Sequence, residues 1–317
     1  MSNQTVAIIL PAFNEELTIA GTIEGFYREL PAAHFVIVNN NSTDKTAENA
    51  RAALARIGAQ GLVIDEFRQG KGNAVRRAFR EIDADIYVLA DADLTYPASS
   101  VNDLIAPILE KRADMVVSDR RSGGHYAREN KRRLHGFGNW LVQKLINRLF
   151  DSRLVDIMSG YRALNRLFVK NYPILVEGFE IETDMTLHAL HKRFRIVEVP
   201  VEYKDRVAGS VSKLNTLSDG AKVIFTIAQI LRYYRPLLFF GGVGLAFMIG
   251  GLVAGLPVLD DWMTSRYIYH VPLAILASAL EIVAIIMISI GLILDSLAHQ
   301  QRMEYERSLL AASQAPE

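Results

Sequence analysis

Short apolar runs alternate with longer segments of helical periodicity along the first 230 residues. The runs are bounded by charged or turn-forming residues, which is typical of strands covered on both faces of a sheet. They lie at residues 6–10, 35–38, 62–65, 86–90, 115–118 and 196–201. Helices are expected between them, at residues 16–29, 45–57, 73–82 and 99–110. This alternation predicts an α/β fold with a mostly parallel, doubly wound sheet over residues 1–230.

The last third of the chain has a different pattern. Residues 236–259 contain no charge, and residues 271–294 are interrupted only by Glu281. Each run is long enough to cross a bilayer as a helix, and neither has the polar stripe of a soluble surface helix. We therefore predict a two-helix transmembrane anchor within residues 231–300, followed by a tail at residues 301–317.

Charges flanking the two spans indicate an orientation. Arg232 and Arg235 precede the first span, and Arg302 and Arg307 follow the second. The connector carries Arg266 against Asp260 and Asp261. The positive-inside rule places the N-terminal domain and both termini in the cytoplasm, at the plasma membrane if the source is bacterial.

Three residues within the spans bear on helix association. Gly251 and Gly255 would allow the backbone of a partner helix to come close. Glu281 has two interpretations: an ionisable group with a function inside the membrane, or a protonated carboxyl bonded to a neighbouring helix of an oligomer. The second is favoured because nothing else in the spans indicates an ion path, and it predicts a homo-oligomer formed through these helices.

Composition narrows the chemistry. The chain has 317 residues, 50% of them hydrophobic, zero formal net charge and no cysteine. Disulfides, thiolate metal sites and a cysteine nucleophile are therefore excluded. The neutral balance gives no general attraction to nucleic acid, which is not an expected partner.

Residues that could grip a nucleotide follow each of the first four strands. They include Pro11, Phe13 and Glu15 after the first strand, an Asn-rich segment at 39–44, the Gly70-Lys71-Gly72 turn, and finally Asp91 and Asp93. Strand ends of a parallel sheet meet at one edge, where such folds bind ligands. Carboxylates spaced as in Asp91-Ala92-Asp93 suit a hard divalent cation that also holds a diphosphate, although an isolated pair is also typical of a solvated turn.

Basic residues are concentrated just beyond the fifth strand. The group consists of Arg120, Arg121, Arg128, Lys131, Arg132 and Arg133. An apolar stripe at helical spacing follows it, formed by Trp140, Leu141, Leu145, Ile146, Leu149 and Phe150. A basic segment joined to an amphipathic helix near residues 131–150 predicts a helix on an anionic membrane surface, presenting cations to a lipid phosphate. A solvated basic loop is the alternative.

Two later segments carry further candidates. A Gly/Ser-rich loop between Arg206 and Lys213 could close over a phosphate as a lid, or could be an ordinary linker. Glu182 and Asp184 are secondary candidates for a base that deprotonates an acceptor, although the alternation at residues 179–182 also fits a plain half-exposed segment.

Taken in order, these motifs resemble the family-2 glycosyltransferases. The nearest branch comprises dolichol-phosphate mannosyltransferase and the bacterial polyprenyl-phosphate glycosyltransferases, and the resemblance covers about residues 5–230. The motifs are Leu10-Pro11-Ala12-Phe13-Asn14-Glu15-Glu16, Asn41-Ser42-Thr43-Asp44, Gly70-Lys71-Gly72, Asp91-Ala92-Asp93 and Ser159-Gly160-Tyr161-Arg162. The resemblance implies a GT-A fold, transfer with inversion, and Mg²⁺ or Mn²⁺ beneath a sugar-nucleotide diphosphate.

The resemblance also implies roles for individual residues. Asp91 and Asp93 would hold the metal, with Asp93 the more direct ligand and Asp91 also near the nucleotide. Arg120 and Arg132 match arginines that bind the acceptor phosphate, and Arg206 and Lys213 match a catalytic loop. The nucleotide-sugar site would be completed by Pro11, Phe13, Glu15, Asn39, Asn41 and Lys71.

Two departures from the family pattern stand out. Asn39 and Asn40 stand where the family usually has aspartates, and one extra residue precedes the Ser212-Lys213 pair, which leaves the register of Lys213 open.

The expected activity is metal-dependent transfer of a sugar from a nucleotide-diphosphate sugar to undecaprenyl or dolichyl phosphate at the cytoplasmic membrane face. A polyprenyl phosphate is already an anion, so this reaction needs no base. The alternatives are a family-2 enzyme with a hydroxyl acceptor and an inactive membrane scaffold. A sugar-1-phosphate nucleotidyltransferase is disfavoured because the turn after the first strand is not Gly-rich.

Overall fold

The computed structural model describes residues 4–122, 133–178, 180–202 and 219–314. The chain divides into two compact units, Met1–Asp219 and Gly220–Glu317. Arg132, Arg206 and Lys213, which were singled out from the sequence, lie outside the described residues.

Within the described part of the first unit, seven strands form one sheet in the order β3-β2-β1-β4-β6-β5-β7. The strands are β1 (Val6–Ala12), β2 (His34–Asn39), β3 (Gly61–Asp65), β4 (Ile86–Leu89), β5 (Met115–Asp119), β6 (Arg162–Asn165) and β7 (Ile196–Pro200). Each strand predicted from the sequence is present within two residues of its expected bounds.

The sheet is mixed rather than wholly parallel. β6 runs antiparallel to both of its neighbours, pairing Val88 of β4 and Val116 of β5 with the same residue, Ala163. The other neighbouring strands pair in parallel. β6 is absent from the predicted strands because its two apolar residues lie between Arg162 and Asn165, too short a run to register as a strand.

Helices cover both faces of this sheet. They are α1 (Ile19–Glu29), α2 (Thr46–Ile57), α3 (Lys71–Glu81), α4 (Val101–Leu109), α5 (Arg133–Phe150), α6 (Arg166–Asn171) and α7 (Ile181–His191). The two residues Ile181 and Glu182, which also fit a half-exposed segment, begin α7 and are both buried.

Alternate side chains of each strand enter two separate cores. Ile8 and Leu10 of β1 pack in the core that also contains α1, α2 and α4. Ala7 and Ile9 pack on the opposite face with α3, α6 and α7. Because both faces of the sheet are buried, the strands are continuous apolar runs in the sequence. A ligand can therefore reach the sheet only at its edges, and the candidate site residues lie at the carboxyl ends of β1 to β4.

The second unit contains most of α8 (Asp219–Tyr234), together with α9 (Pro236–Ser265) and α10 (Val271–Gln314). α9 and α10 are long and apolar enough to cross a membrane by length and composition. Both extend beyond the predicted spans, so residues 301–314 of the predicted tail are helical. α9 ends at Ser265 and is followed by Arg266, whose backbone is left-handed. In the connector, Asp261 accepts hydrogen bonds from the backbone N–H groups of Tyr269 and His270.

Small residues bring α9 and α10 together. A Cβ atom added to Gly244 would lie 2.9 Å from the carbonyl oxygen of Ala284, and one added to Gly251 would lie 2.6 Å from Oε1 of Glu281. At Gly255, by contrast, the nearest atom is at an ordinary contact distance of 4.0 Å. The close contacts therefore involve Gly244 and Gly251, and Glu281 packs against the first span of its own chain.

Candidate active site

The turn after β1 is fastened to the turn after β2. The backbone N–H of Glu15 donates to Oγ1 of Thr46 at 2.8 Å, and Oδ1 of Asn14 accepts from the N–H of Thr43 at 2.9 Å. This places Pro11, Phe13 and Glu15, three predicted nucleotide-site residues, beside the Asn-rich segment at 39–44.

The three asparagines of that segment differ in role. Asn40 is buried and donates to the carbonyl oxygens of Glu66 and Arg68, while its Oδ1 accepts from the N–H of Gly70 at 2.7 Å. An aspartate has no N–H to donate, so an amide at Asn40 holds the loop after β3 in a way that a carboxylate could not.

Asn39 and Asn41 lie on either side of this buried amide. The side chain of Asn39 donates to Oδ1 of Asp65 at 2.7 Å, and Asn41 has a positive φ of 59° at the tip of the turn. An aspartate in place of Asn39 would set two carboxylates against each other, so the amide also suits this position.

The glycines of Gly70-Lys71-Gly72 make room for protein backbone. A Cβ atom on either glycine would clash with the carbonyl oxygens of Val176 or Glu177. The N–H groups of Gly72 and Asn73, at the start of α3, donate to the Glu177 carbonyl. This turn is therefore shaped by the 176–177 segment.

Lys71 lies between two carboxylates. Its ammonium pairs with Oδ1 of Asp91 and lies 2.5 Å from Oε1 of Glu182. Burial alone lowers the pKa of Lys71, but the charges and hydrogen bonds of Asp91 and Glu182 outweigh burial and hold this pKa well above its usual range. Lys71 is therefore a fixed positive charge beside Asp91.

Gly160 closes over this ion pair. A Cβ atom at this position would lie 2.8 Å from Nζ of Lys71 and 2.9 Å from Oδ2 of Asp91. The N–H of Gly160 donates to the hydroxyl of Tyr96 at 3.0 Å, and burial raises the pKa of Tyr96 to about 12, so the hydroxyl stays neutral.

Asp93 has different surroundings from Asp91. It is 3% exposed, and its Oδ1 accepts hydrogen bonds from the hydroxyl and the N–H of Thr95 at 2.6 and 3.2 Å. Among the described residues, no group of three or more His, Cys, Asp or Glu side chains forms a metal cluster. Two carboxylates from one loop fit a cation such as Mg²⁺, which takes one or two protein carboxylates and completes its shell with water and substrate phosphates.

Arg120 is held by a bidentate ion pair. Its Nε and Nη2 lie 2.7 and 2.9 Å from the carboxylate of Asp156, and its Nη1 donates to the hydroxyl of Tyr96 at 3.3 Å. Glu198 in turn accepts from the N–H groups of Val155 and Asp156, and burial raises the pKa of Glu198. An acceptor phosphate at Arg120 would have to share this guanidinium with Asp156.

A comparison with known proteins identifies the chain. The profile of the family described as glycosyl transferase family 2 matches residues 7–172. Glycosyltransferase AglJ of Haloferax volcanii is 30% identical over 307 residues, which cover 95% of this chain and 96% of AglJ. The chain belongs to the family-2 glycosyltransferases.

Two further similarities refine this assignment. A dolichyl-phosphate hexose transferase of the same organism is 27% identical, covering 71% of this family-2 glycosyltransferase and 93% of the relative. The crystal structure of glucosyl-3-phosphoglycerate synthase from Mycobacterium tuberculosis, in complex with Mn²⁺, uridine diphosphate and phosphoglyceric acid, matches with a TM-score of 0.57 at 22% identity. That match covers 73% of this chain and 78% of the synthase. The predicted GT-A fold and the relation to polyprenyl-phosphate sugar transferases are confirmed.

Glu182 and Asp184 of this glycosyltransferase are not one cluster. Glu182 contacts Lys71, whereas Oδ2 of Asp184 accepts from the hydroxyl of Tyr172 at 2.7 Å. Burial raises the pKa of Asp184, although the Tyr172 hydrogen bond opposes this. The structure therefore places Glu182 beside Lys71 and Asp91, whereas Asp184 is hydrogen-bonded to Tyr172 instead.

The sequence assigns no role to several residues of the site. Arg162 is fully buried and donates to the carbonyl oxygens of Ser159 and Ile157, which fixes the loop before Gly160. Tyr96 and Asp156 carry no sequence signal of their own, because their partners come from distant parts of the chain. Arg162 could have been found only as part of the Ser-Gly-Tyr-Arg motif.

The predicted amphipathic helix is present as α5, with one difference. Ile146 of the expected outward stripe is buried together with Val142, whereas Trp140 is 41% exposed, with Nζ of Lys144 4.8 Å from its ring centroid. One face of α5 thus packs into the domain and another keeps Trp140 at the surface.

Proposed function

We propose that this glycosyltransferase transfers a sugar, with inversion, from a nucleoside-diphosphate sugar to the phosphate of a polyprenyl phosphate at the cytoplasmic membrane surface. The observation that carries the proposal is the group Asp91, Lys71 and Asp93 at the carboxyl end of β4, in a chain that also has two helices of membrane-spanning length. The relative named dolichyl-phosphate hexose transferase supports the acceptor class.

Asp91 and Asp93 would hold Mg²⁺ or Mn²⁺, and the Mn²⁺ in the synthase of similar fold accords with this assignment. A bound divalent cation would neutralise negative charge that develops on the departing diphosphate. Lys71 would add a second positive charge at the same place, since its ammonium has three N–H donors and the two carboxylates take two of them. Pro11, Phe13, Glu15, Asn39 and Asn41 would line the nucleoside side.

The reaction with a phosphate acceptor balances without a proton transfer. A phosphate oxygen of the acceptor forms a bond to the anomeric carbon on the face opposite the nucleotide. The bond from that carbon to the donor's diphosphate breaks, and the nucleoside diphosphate leaves with the electron pair. Arg120, joined by Arg132, would bind the acceptor phosphate, because a guanidinium fork matches a phosphate well.

A hydroxyl acceptor is the less favoured alternative. It needs a base to remove its proton, and the two carboxylates considered for that task are engaged, Glu182 by Lys71 and Asp184 by Tyr172. The phosphate acceptor needs neither of them. Arg206 and Lys213 would then act on the diphosphate or on closure of the site.

Membrane attachment would come from two places. α9 and α10 would anchor the chain, and the exposed Trp140 of α5 would lie at the level of the lipid head groups, as aromatic side chains do at membrane interfaces. This arrangement would bring the site to the surface where the acceptor's phosphate lies.

The direct test is a transfer assay with the full chain in detergent. Radiolabelled UDP-sugars and GDP-sugars are each offered with undecaprenyl or dolichyl phosphate and MgCl₂ or MnCl₂, and the lipid phase is extracted and counted. Label in the lipid phase that is released by mild acid, as expected of a glycosyl phosphate, supports the proposal. Label transferred only to a hydroxyl-bearing glycan or lipid would favour the alternative, and no transfer with any donor would refute both.

A further inference from the structure

The ammonium of Lys71 joins two carboxylates that lie far apart in the chain. Asp91 follows β4, and Glu182 lies in the first turn of α7. The side chains of Lys71 and Glu182 are each 7% exposed, whereas that of Asp91 is 30% exposed. Glu182 is thus enclosed together with Lys71, and Asp91 is the member of the group that reaches solvent.

The position of Glu182 does not suit a general base, but it suits a residue that holds the Lys71 ammonium in place. A general base needs a carboxylate within hydrogen-bond reach of the acceptor's proton. Glu182 instead directs Oε1 to Lys71, and its charge also acts on the buried guanidinium of Arg162. A lysine side chain is a long flexible stem, so a second carboxylate behind it restricts where its ammonium can lie.

We propose that Glu182 is a positioning residue that acts through Lys71. Glu182 fixes the position of the Lys71 ammonium. The fixed ammonium then holds Asp91 in place and directs its third N–H toward the diphosphate of the donor. This inference rests on the proposed function, in which Asp91 and Lys71 lie in the nucleotide-sugar site. It assigns Glu182 to donor binding and removes it from acceptor activation.

The test measures nucleotide binding, which needs no acceptor lipid. Wild type, E182Q, K71Q and the double variant K71Q/E182Q are titrated by calorimetry in detergent with UDP and with GDP in MnCl₂. We expect E182Q to weaken binding of the nucleotide that wild type prefers by about tenfold. In the K71Q background, the same change should alter binding by less than about twofold, because Glu182 has lost the group through which it acts.

Thermal unfolding and a control variant show whether a loss of binding comes from misfolding. K71Q leaves Glu182 enclosed without its cation, whereas the double variant removes both charges and is expected to fold better than K71Q in thermal unfolding. The matched control is E81Q. Glu81 lies on α3, the helix that also carries Lys71, and forms an exposed ion pair with Arg77 at 3.1 Å. E81Q should bind nucleotide as wild type does.

The outcomes separate this inference from the proposed function. Equal losses from E182Q in both backgrounds would overturn it. So would unchanged nucleotide binding in E182Q accompanied by a lost transfer rate, which would return Glu182 to the role of base. If wild type binds UDP or GDP but labels no polyprenyl phosphate, the proposed acceptor is wrong while the binding cycle still decides the role of Glu182. Binding of neither nucleotide by wild type would refute both.

Discussion

At the scale of single residues, two carboxylates one position apart have unequal environments. Asp91 is partly exposed and already paired with Lys71, whereas Asp93 is 3% exposed and is bonded by Thr95. The sequence identified both aspartates. It could not identify the ion pair of Lys71 with Glu182, because these residues are 111 positions apart in the sequence and no local pattern links them.

Asp93→Asn tests the metal assignment with little change of shape. The amide oxygen can still accept the Thr95 hydrogen bonds, but the negative charge that would hold a divalent cation is gone. We expect transfer to fall by at least about 100-fold with the thermal unfolding temperature almost unchanged. Excess EDTA should have the same effect on wild type.

The matched control for this change is Asp103→Asn, an exposed carboxylate on α4. It should keep wild-type transfer. Full transfer by Asp93→Asn, or by wild type in EDTA, would contradict the metal assignment.

Gly160→Ala tests how tightly the site is packed. The added methyl group would lie 2.8 Å from Nζ of Lys71 and 2.9 Å from Oδ2 of Asp91, so the ion pair has to move. We expect a loss of about 1–3 kcal/mol of stability together with a sharp fall in transfer, measured by thermal unfolding and by the lipid assay.

Gly21→Ala is the comparison for that change. A Cβ atom there would lie at an ordinary distance of 3.6 Å from the side chain of Leu94, and Gly21 is the third residue of α1. Alanine is favoured over glycine in a helix, so this variant should be as stable as wild type or more stable. If the two alanine variants behave alike, close packing at Gly160 is not what limits the site.

At the scale of secondary-structure elements, the periodic segments were predictable and the short ones were not. The continuous apolar runs predict β1 to β5 and β7, because strands buried on both faces have apolar residues at successive positions. β6 has only Ala163 and Leu164 as apolar residues, and the start of α7 carries alternating acids. Tertiary contacts made by Arg162 and Glu182 decide both structures.

Arg162→Lys tests what holds β6 and the loop before it. A lysine keeps the charge but loses the planar fork that reaches two carbonyl oxygens and the hydroxyl of Thr186. Leaving such buried groups without partners should cost about 2–4 kcal/mol, measured by denaturant unfolding.

Arg166→Lys provides the reference. Arg166 lies four residues after Arg162 and forms an exposed ion pair with Asp83. The loss there should stay within about 0.5 kcal/mol. Similar losses at both positions would show that burial of Arg162 does not set its contribution.

At the scale of the whole molecule, the sequence predicts an α/β region up to residue 230 and an apolar helical region after it, whereas the second compact unit already begins at Gly220. The second unit was predictable because apolar runs of this length, almost without charge, are typical of helices that cross a bilayer. The extension of α10 to Gln314 was not foreseen, because residues 301–314 are largely polar, although no helix-stopping proline follows Leu294 before Pro316.

The proposed topology can be read with single cysteines, since the chain has none. Met263→Cys places a thiol near the end of α9 at a 77% exposed position, which leaves the hydrogen bonds of Asp261 intact. Ser308→Cys places one on the far part of α10. An impermeant thiol reagent added to intact cells should label the first position only.

Labelling after cell lysis should reach both positions, and the cysteine-free parent should stay unlabelled throughout. Labelling of Ser308→Cys in intact cells would show that the orientation is the reverse of the proposed one. The site would then have no access to cytoplasmic sugar nucleotides, and the proposal would be wrong on this point.

The position of β6 in the sheet also has a consequence during synthesis on the ribosome. β1 to β4 are neighbours in the order β3-β2-β1-β4, so that half-sheet can pair as soon as it emerges. β5 cannot, because both of its partners, β6 and β7, are translated later, and Arg162 follows Asp119 by 43 residues. At about 5–20 residues per second, the apolar strand β5 waits about 2–9 s for its first partner. During that interval both edges of β5 are unpaired and open to pairing with other chains.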